Sequence, residues 1–393
     1  MNVLINATGI TKNKAGVGVY AKNLIEELTH VPAGPHFFLL AQDDDPELDY
    51  GDRANITMIW VPAGVFRKLP LRFLLEQALL PLLLLKYRID VVHSLHYSFP
   101  LVSFGARQVV TLCDMTFFSM PEVHQRKKIA YFRTFIRAAV RRADKIIFIS
   151  HSAEQDCISF LGAPRGSSAV IHLGKSDAFG LNLDPVEIRK VREKYRLPQE
   201  YVLYVGTVEP RKNLSRLVSA FAAVSGQHPG LVLVVAGMKG WMNEGLLENI
   251  RSLHLESRVV FTGFIPESEK PFLIAGAKVF AYPSLYEGFG IPVLEALACG
   301  IPTLTSNVSS LPEVAGDAAL TVDPRNVPEM ALALERLLSD ASLRAELRES
   351  SVRQAAQFTW AKTAALTLRA YEDVLSDGAR KAGEMSSQVK RAE

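Results

Sequence analysis

Two carboxylates, Glu287 and Glu295, flank a helix start in the stretch Tyr282-Pro-Ser-Leu-Tyr-Glu-Gly-Phe-Gly-Ile-Pro-Val-Leu-Glu-Ala-Leu-Ala-Cys-Gly300. The run 278–282 reads as a buried strand, Gly288-Phe289-Gly290 as a tight turn, Pro292 as a first-turn residue and Gly300 as a stop signal. Glu287 then lies in the loop and Glu295 on the helix. Helical side chains lean toward the N-terminus, so Glu295 points back to the volume that Glu287 overlooks, beside free backbone N–H groups and the positive end of the helix dipole. Carboxylates accept paired hydrogen bonds from sugar hydroxyls, and glycines let backbone amides approach phosphate oxygens. The set suits a molecule with hydroxyls at both ends and phosphates between. The bland alternative is an ordinary helix glutamate and an acid favoured near a helix N-terminus.

Other stretches could serve the same chemistry. Tyr204-Val-Gly206-Thr-Val-Glu209-Pro-Arg211-Lys212-Asn213 closes a strand and opens a helix. There, Arg211 and Lys212 could neutralise a diphosphate, or stand as surface cations. Gly16-Val-Gly18-Val-Tyr20-Ala21 matches a dinucleotide fingerprint, and Asp43 to Asp45 follow the second strand, the basis of a rival reading as an NAD-dependent oxidoreductase. The spacing counts against it, because Thr8 to Ala15 separate the glycines from their strand. His93 and His96 fall past a strand end, within reach of a second substrate. From Arg126 to Arg142 a helix sets Ile129, Phe132, Ile136 and Val140 on one face and Arg133, Arg137 and Arg141 on another. That face is either solvated or in contact with anionic lipid. Ser152 with Gln155 reads as a cap of the next helix.

These residues need strands and helices to hold them. Apolar runs at 3–6, 36–41, 56–61, 90–93, 108–113, 145–150 and 169–173, then 201–206, 231–236, 259–262, 278–282, 302–305 and 320–322, alternate with helical patterns, the mark of βαβ units. At 393 residues, 48% hydrophobic, the chain can bury two cores. A linker over 174–185 divides a domain at 1–178 from one at 179–358. A helix over 359–376 and a disordered polar tail at 377–393 follow. The run 69–85, broken by Arg72, Glu76 and Pro81, is too short to span a bilayer and reads as a buried helix. A formal charge of +3 excludes wholesale nucleic-acid binding. Three scattered cysteines exclude a disulfide framework, no metal-ligand cluster is legible, and Met1–Asn6 lacks signal-peptide character, so a reducing cytoplasmic setting is expected.

Glu287-Gly288-Phe289-Gly290-Ile-Pro292-Val-Leu-Glu295, with seven residues between the glutamates, resembles the donor-site motif of family 4 retaining glycosyltransferases, and more particularly the bacterial mannosyltransferase-type group 1 enzymes. The resemblance covers nearly the whole chain and is strongest over 201–323. It implies a GT-B fold, α/β with two doubly wound Rossmann-like domains facing across a cleft and a C-terminal helix crossing back to the first. It implies transfer of a hexose from a GDP-mannose-like or UDP-sugar donor to a glycan or lipid-linked acceptor, with the donor as substrate, no cofactor and no metal. By that likeness Glu295 holds the ribose, Glu287 orients the sugar, and Lys212 and Arg211 take the diphosphate with the Gly288, Phe289 and Gly290 amides. Backbone at Gly263 and Phe264 reads the base, and Gly16 and Gly18 give the substrates close access. The chain departs from the family where relatives carry His-Asp and it has Cys113-Asp114. A catalytic role there passes to Asp114, to His124 or to neither, and Cys113 reads as a small buried hydrophobe. Thr207 stands where many relatives have arginine. A nucleotide-sugar epimerase and a non-catalytic sugar-nucleotide binder stay open. The protein is expected in the cytoplasm, peripheral to the membrane if the face of 126–142 meets lipid.

Overall fold

The computed structural model describes residues 1–10, 16–31, 34–238, 240 and 244–392, with side chains described as far as Asp377. Two compact units share the chain, one comprising Met1–Leu173 with the chain from Trp360 onward, the other Gly174–Thr359.

The first unit is built on a seven-stranded sheet of β1 (Asn2–Asn6), β2 (His36–Gln42), β3 (Ile56–Val61), β4 (Val91–Ser94), β5 (Arg107–Leu112), β6 (Lys145–Phe148) and β7 (Ser167–Val170), in the order β3-β2-β1-β4-β5-β6-β7. The second has a six-stranded sheet of β8 (Tyr201–Val205), β9 (Val232–Ala236), β10 (Val259–Gly263), β11 (Val279–Tyr282), β12 (Thr303–Ser306) and β13 (Leu320–Val322), in the order β10-β9-β8-β11-β12-β13. Every pairing is parallel. Parallel sheets are covered on both faces, which is why the strands read as continuous apolar runs; β4, β6 and β11 are buried at every position. In each sheet the winding reverses once, between β1 and β4 and between β8 and β11, and the crevice past the carboxyl ends at such a reversal is where open α/β sheets take ligands. The β8–β11 register pairs Val202 with Val279 and Leu203 with Phe280, so Tyr282 comes level with Val205 at that crevice.

The stretch expected as the linker, 174–185, opens the second unit; Phe179 within it is buried, and the Lys270 ammonium lies 5.3 Å from its ring centroid. Three expectations need correction. The run 69–85 is not one buried helix. It forms helices Leu69–Leu74 and Leu80–Lys86 joined by a π-helical turn, Leu75–Leu79, and only one side is covered; Leu75, Leu80 and Leu84 enter the core while Leu74, Leu82 and Leu85 are exposed. Pro81, which has no N–H to continue the ladder, accounts for the irregular turn. Ser150, not Ser152, caps helix His151–Leu161, its hydroxyl accepting from the Ala153 amide. The last helix spans Trp360–Ala392, so helical backbone extends through the stretch expected to be a disordered tail. That helix is fastened to the first unit where Lys145 donates to Asp373 (2.7 Å) and Thr363 to the His172 carbonyl (2.7 Å).

Candidate functional site

At the reversal of the second sheet, the turn after β8 carries the 3₁₀ segment Pro210–Lys212, ended by Asn213 in the left-handed region (φ 62°). Asparagine tolerates that conformation, and its amide donates to the carbonyls of Pro283 (3.0 Å) and Pro324 (2.6 Å), tying the loop to its neighbours. Lys212 is thereby turned inward and is 8% exposed. Its ammonium donates to Glu287 Oε1 (2.6 Å) and Tyr282 Oη (2.6 Å). Arg211 grips the same carboxylate at Oε2 (2.9 Å) and the Tyr286 carbonyl (2.6 Å), while its other nitrogens donate to Glu209. Burial alone would raise the Glu287 pKa; Arg211 and Lys212 overrule it and hold the carboxyl down at about 2. Burial and the adjacent Arg211 pull the Lys212 ammonium below its ordinary value. The result is an ionised carboxylate and two cations in a nearly dry pocket at the crevice.

The loop holding Glu287 is fixed through its backbone. The Glu287 amide donates to Ser309 Oγ (3.0 Å), and the Ser310 hydroxyl faces the carbonyls of Glu287 (2.9 Å) and Phe289 (2.7 Å). Gly290 has φ +117°, a backbone conformation that favours glycine, and a Cβ there would lie 2.8 Å from Leu311 Cδ2, so that side chain would have to shift. The Phe289 ring is buried and packs on Phe358. Helix Ile291–Ala298 then places Glu295, 3% exposed, against Lys270 (Oε1 to Nζ 2.7 Å). Burial raises the Glu295 pKa to about 7, with Lys270 opposing. Its Oε2 is buried and accepts nothing among the described residues. A buried acceptor left unmade costs about 1–3 kcal/mol, more for a charged group, and such an atom is placed to accept from a ligand hydroxyl.

Past β9 and β10, the Gly237 amide donates to the Gly263 carbonyl (2.8 Å), and a Cβ on Gly237 would lie 2.1 Å from the Gly206 carbonyl oxygen. Glycine backbone thus ties the carboxyl ends of three adjacent strands, and the Phe264 ring beside them is 61% exposed.

In the first unit the candidates fare differently. Gly16 and Gly18 form the first turn of helix Gly16–Thr29, and the segment 11–15 before it lies outside the described residues. Asp114 accepts at Oδ1 from Tyr97 Oη (2.8 Å) and from the Thr116 amide and hydroxyl (2.9 and 2.6 Å). His124 meets the same hydroxyl (2.9 Å) and stacks on Phe117, so Thr116 joins the two candidates. His93, expected within reach of a second substrate, lies inside β4 and is fully buried, with Nδ1 2.7 Å from Tyr371 Oη and Nε2 2.8 Å from Thr111 Oγ1, and burial drops its pKa to about 3. His96 is likewise kept neutral, near 3, by burial with Arg72 and Lys128 adding to it, and its Nδ1 is a buried atom with no partner among the described residues. Cys113 is buried and its thiol is pushed far up, first by burial and then by Asp114, as suits a small hydrophobe. The arginine stripe on helix Arg126–Arg142 is covered only in part: Arg137 and Arg141 are exposed and Arg133 is half-buried. Arg133 and Arg137 lie over the Phe118 ring, 5.2 Å from its centroid, and Arg133 donates to the Phe117 carbonyl (2.7 Å).

Several participants escaped the sequence. Tyr282 was read only as the end of a strand, and Lys270 sits in a polar run, Glu267-Ser-Glu-Lys270, that resembles any solvated helix start. Nothing local marks Ser309 and Ser310 as clamps on a loop more than twenty positions earlier.

The chain has relatives among known proteins. Residues 187–354 match the family model described as glycosyl transferases group 1, and residues 15–176 match that of glycosyltransferase family 4. The chain is 34% identical over 268 residues to the O-antigen chain mannosyltransferase B of Escherichia coli, covering 68% of this chain and 70% of that one. It is also 34% identical over 246 residues to the serotype-specific mannosyltransferase WbdA of the same species, covering 61% of this chain but only 30% of that longer protein. Among solved structures, HepE of Anabaena in complex with UDP and glucose superposes with a TM-score of 0.75 at 20% identity, over 95% of this chain and all of that one. That likeness establishes the two-domain GT-B fold class and no more.

Proposed function

The chain belongs to the group 1 glycosyltransferases of family 4, and from that premise we propose that it transfers a hexose, in the first instance mannose, from a nucleoside-diphosphate sugar to a hydroxyl of a glycan or lipid-linked acceptor in polysaccharide synthesis, with retention at the anomeric carbon. The observation that carries the reading is the Lys212–Glu287–Arg211 cluster at the sheet reversal, one helix start away from a buried Glu295 whose Oε2 accepts nothing among the described residues. The mannosyl assignment follows the named activities of the Escherichia coli relatives.

In this scheme Glu295 accepts from the ribose hydroxyls. Lys212 and Arg211 turn part of their charge from Glu287 to the arriving diphosphate, which frees Glu287 to accept from hydroxyls of the transferred sugar. The C1–O bond to the β-phosphate breaks and a C1–O bond to the acceptor oxygen forms on the same face. The acceptor proton passes to the departing diphosphate oxygen, and the nucleoside diphosphate leaves. Negative charge grows on that oxygen as the bond breaks, so cations and amides already in place there lower the barrier most. We read the step as metal-independent, its charge met by these groups, and place the enzyme at the cytoplasmic side, peripheral to the membrane where its acceptor is lipid-linked. Asp114, His124 and His96 of the first unit are assigned to the acceptor.

The test is incubation with radiolabelled GDP-mannose and UDP-glucose, with and without a mannosyl oligosaccharide acceptor, followed by NMR of the product. A mannoside with the donor's anomeric configuration is expected. An inverted linkage, or an epimerised nucleotide sugar formed without acceptor, would refute the reading.

A further inference from the structure

Segment 69–86 is apolar on both sides. A helix docked on a soluble domain presents an apolar stripe to the core and polar residues to water. Here the core side holds Leu75, Leu80 and Leu84, yet the outward side holds Phe73, Leu74, Leu79, Leu82 and Leu85, each between 43% and 58% exposed. A second apolar element adjoins it. Gln77 of the π-helical turn accepts from the Leu101 amide (2.9 Å) and donates to the Phe99 carbonyl (2.9 Å), which anchors the loop whose tip exposes Val102 and Phe104. Exposed apolar side chains this numerous and this close together mark an interaction surface.

The charges at its border select the occupant. Between Pro62 and Ile89 the chain has a single carboxylate, Glu76. Glu76 is fully buried, receiving Arg72 (2.9 Å), Ser98 (2.8 Å) and Tyr131 (3.0 Å). The exposed charges within and beside the segment are mostly cationic, Arg67, Lys68, Lys86 and Arg88, with Arg67 meeting Asp44 at one edge and the exposed Asp90 following at the other. Helix Arg126–Arg142 lies alongside through the Phe73–Phe135 ring contact, and its exposed first turn adds Lys127 and Lys128. Leucines ringed by lysine and arginine are the composition of a surface that seats in the headgroup region of an anionic bilayer. A second copy of the chain fits less well, because a two-fold contact would set this cationic border against itself.

We propose that the outward face of residues 69–86, with the tip of the loop 101–104, is a docking surface for an anionic lipid bilayer, lying in the interface without crossing it. This moves the lipid-facing surface away from the arginine stripe of helix Arg126–Arg142, part of which is spent on Phe118. It holds whatever sugar the enzyme transfers.

Flotation of the full chain with phosphatidylcholine vesicles, with and without phosphatidylglycerol, tests it. The protein should float only with the anionic vesicles and be released in part by salt, which screens the cationic border. The double variant Leu82→Glu with Leu85→Glu should lower partitioning about tenfold or more, since it replaces two buried apolar groups with like charges facing the lipid. It should melt as the parent does, because both side chains are solvent-exposed in the free protein. Leu332→Glu, at a leucine 69% exposed in the second unit, should float as the parent does. Parent-like flotation of the double variant, or no flotation of the parent with anionic vesicles, would overturn the proposal. So would a parent dimer in lipid-free solution that the double variant splits.

Discussion

Replacing Lys212 by methionine should unsettle the second unit and disable its site together. Lys212 and Glu287 are 8% and 7% exposed and meet at 2.6 Å. Removing one member of a buried pair strands the other and costs about 3–5 kcal/mol. Arg211 keeps its hold on Oε2, which places Lys212→Met near the lower end, about 3 kcal/mol. The preference of Glu287 for its charged form, from an ordinary value of 4.5 down to about 2, gives the same order of magnitude. For a unit of this size that lowers the midpoint by about 6–12 °C. The sign of the pH effect follows. A carboxylate depressed on folding contributes stability in full above about 4.5 and loses it as pH falls toward 2, so the parent should weaken over that window while a Glu287→Met variant should not. The decisive arm is the double variant Lys212→Met with Glu287→Met, which leaves no stranded charge and turns Arg211 wholly to Glu209. It should recover about 2 kcal/mol or more relative to the sum of the singles, measured from the urea midpoint of the transition that a nucleoside diphosphate shifts. Additive losses would refute the claim that these two charges hold each other in a dry pocket.

Three further outcomes follow. Nucleotide affinity, read by calorimetry, should rise between about pH 6 and 8 as Glu295 loses the proton that burial holds to about 7, and Glu295→Gln should flatten that rise. Gly290→Ala should lower the melting temperature of the second unit and weaken nucleotide binding, because φ +117° and the 2.8 Å approach to Leu311 each oppose a side chain; about 1–3 kcal/mol is expected from the backbone alone. Tyr371→Phe should leave His93 Nδ1 without its partner inside the first unit and cost about 1–3 kcal/mol in stability, while kcat and KM for transfer stay as they were, the mark of a structural histidine.

The thirteen strands were legible because parallel sheets bury both faces and so leave unbroken apolar runs. The one that drifted, β7 at Ser167–Val170 against an expected 169–173, is an edge strand whose serines carry little strand signal, while the apolar Ile171 and Leu173 beyond it are buried outside the sheet. Glu287, Glu295, Arg211 and Lys212 were each visible as residue types near strand ends. Their partnering was not, because β8 and β11 become neighbours only through the long crossover of a doubly wound sheet. Hydrophobicity alone also misled at 69–85, where a run apolar all round implies burial unless its outer side is itself meant to be covered. His93 shows the converse: a histidine past a strand end looks poised for chemistry until a tyrosine from the last helix, far away in sequence, claims its nitrogen.

In the proposed scheme one carboxylate serves the nucleotide and the other the sugar. Calorimetric titration of GDP and UDP into the Glu295→Ala and Glu287→Ala variants, run beside a transfer assay, tests it most directly. Glu295→Ala is expected to lose nucleotide binding, and Glu287→Ala to bind nucleotide nearly as the parent does while turnover collapses. The reverse pattern, or parent-like binding and turnover in both, would contradict the account.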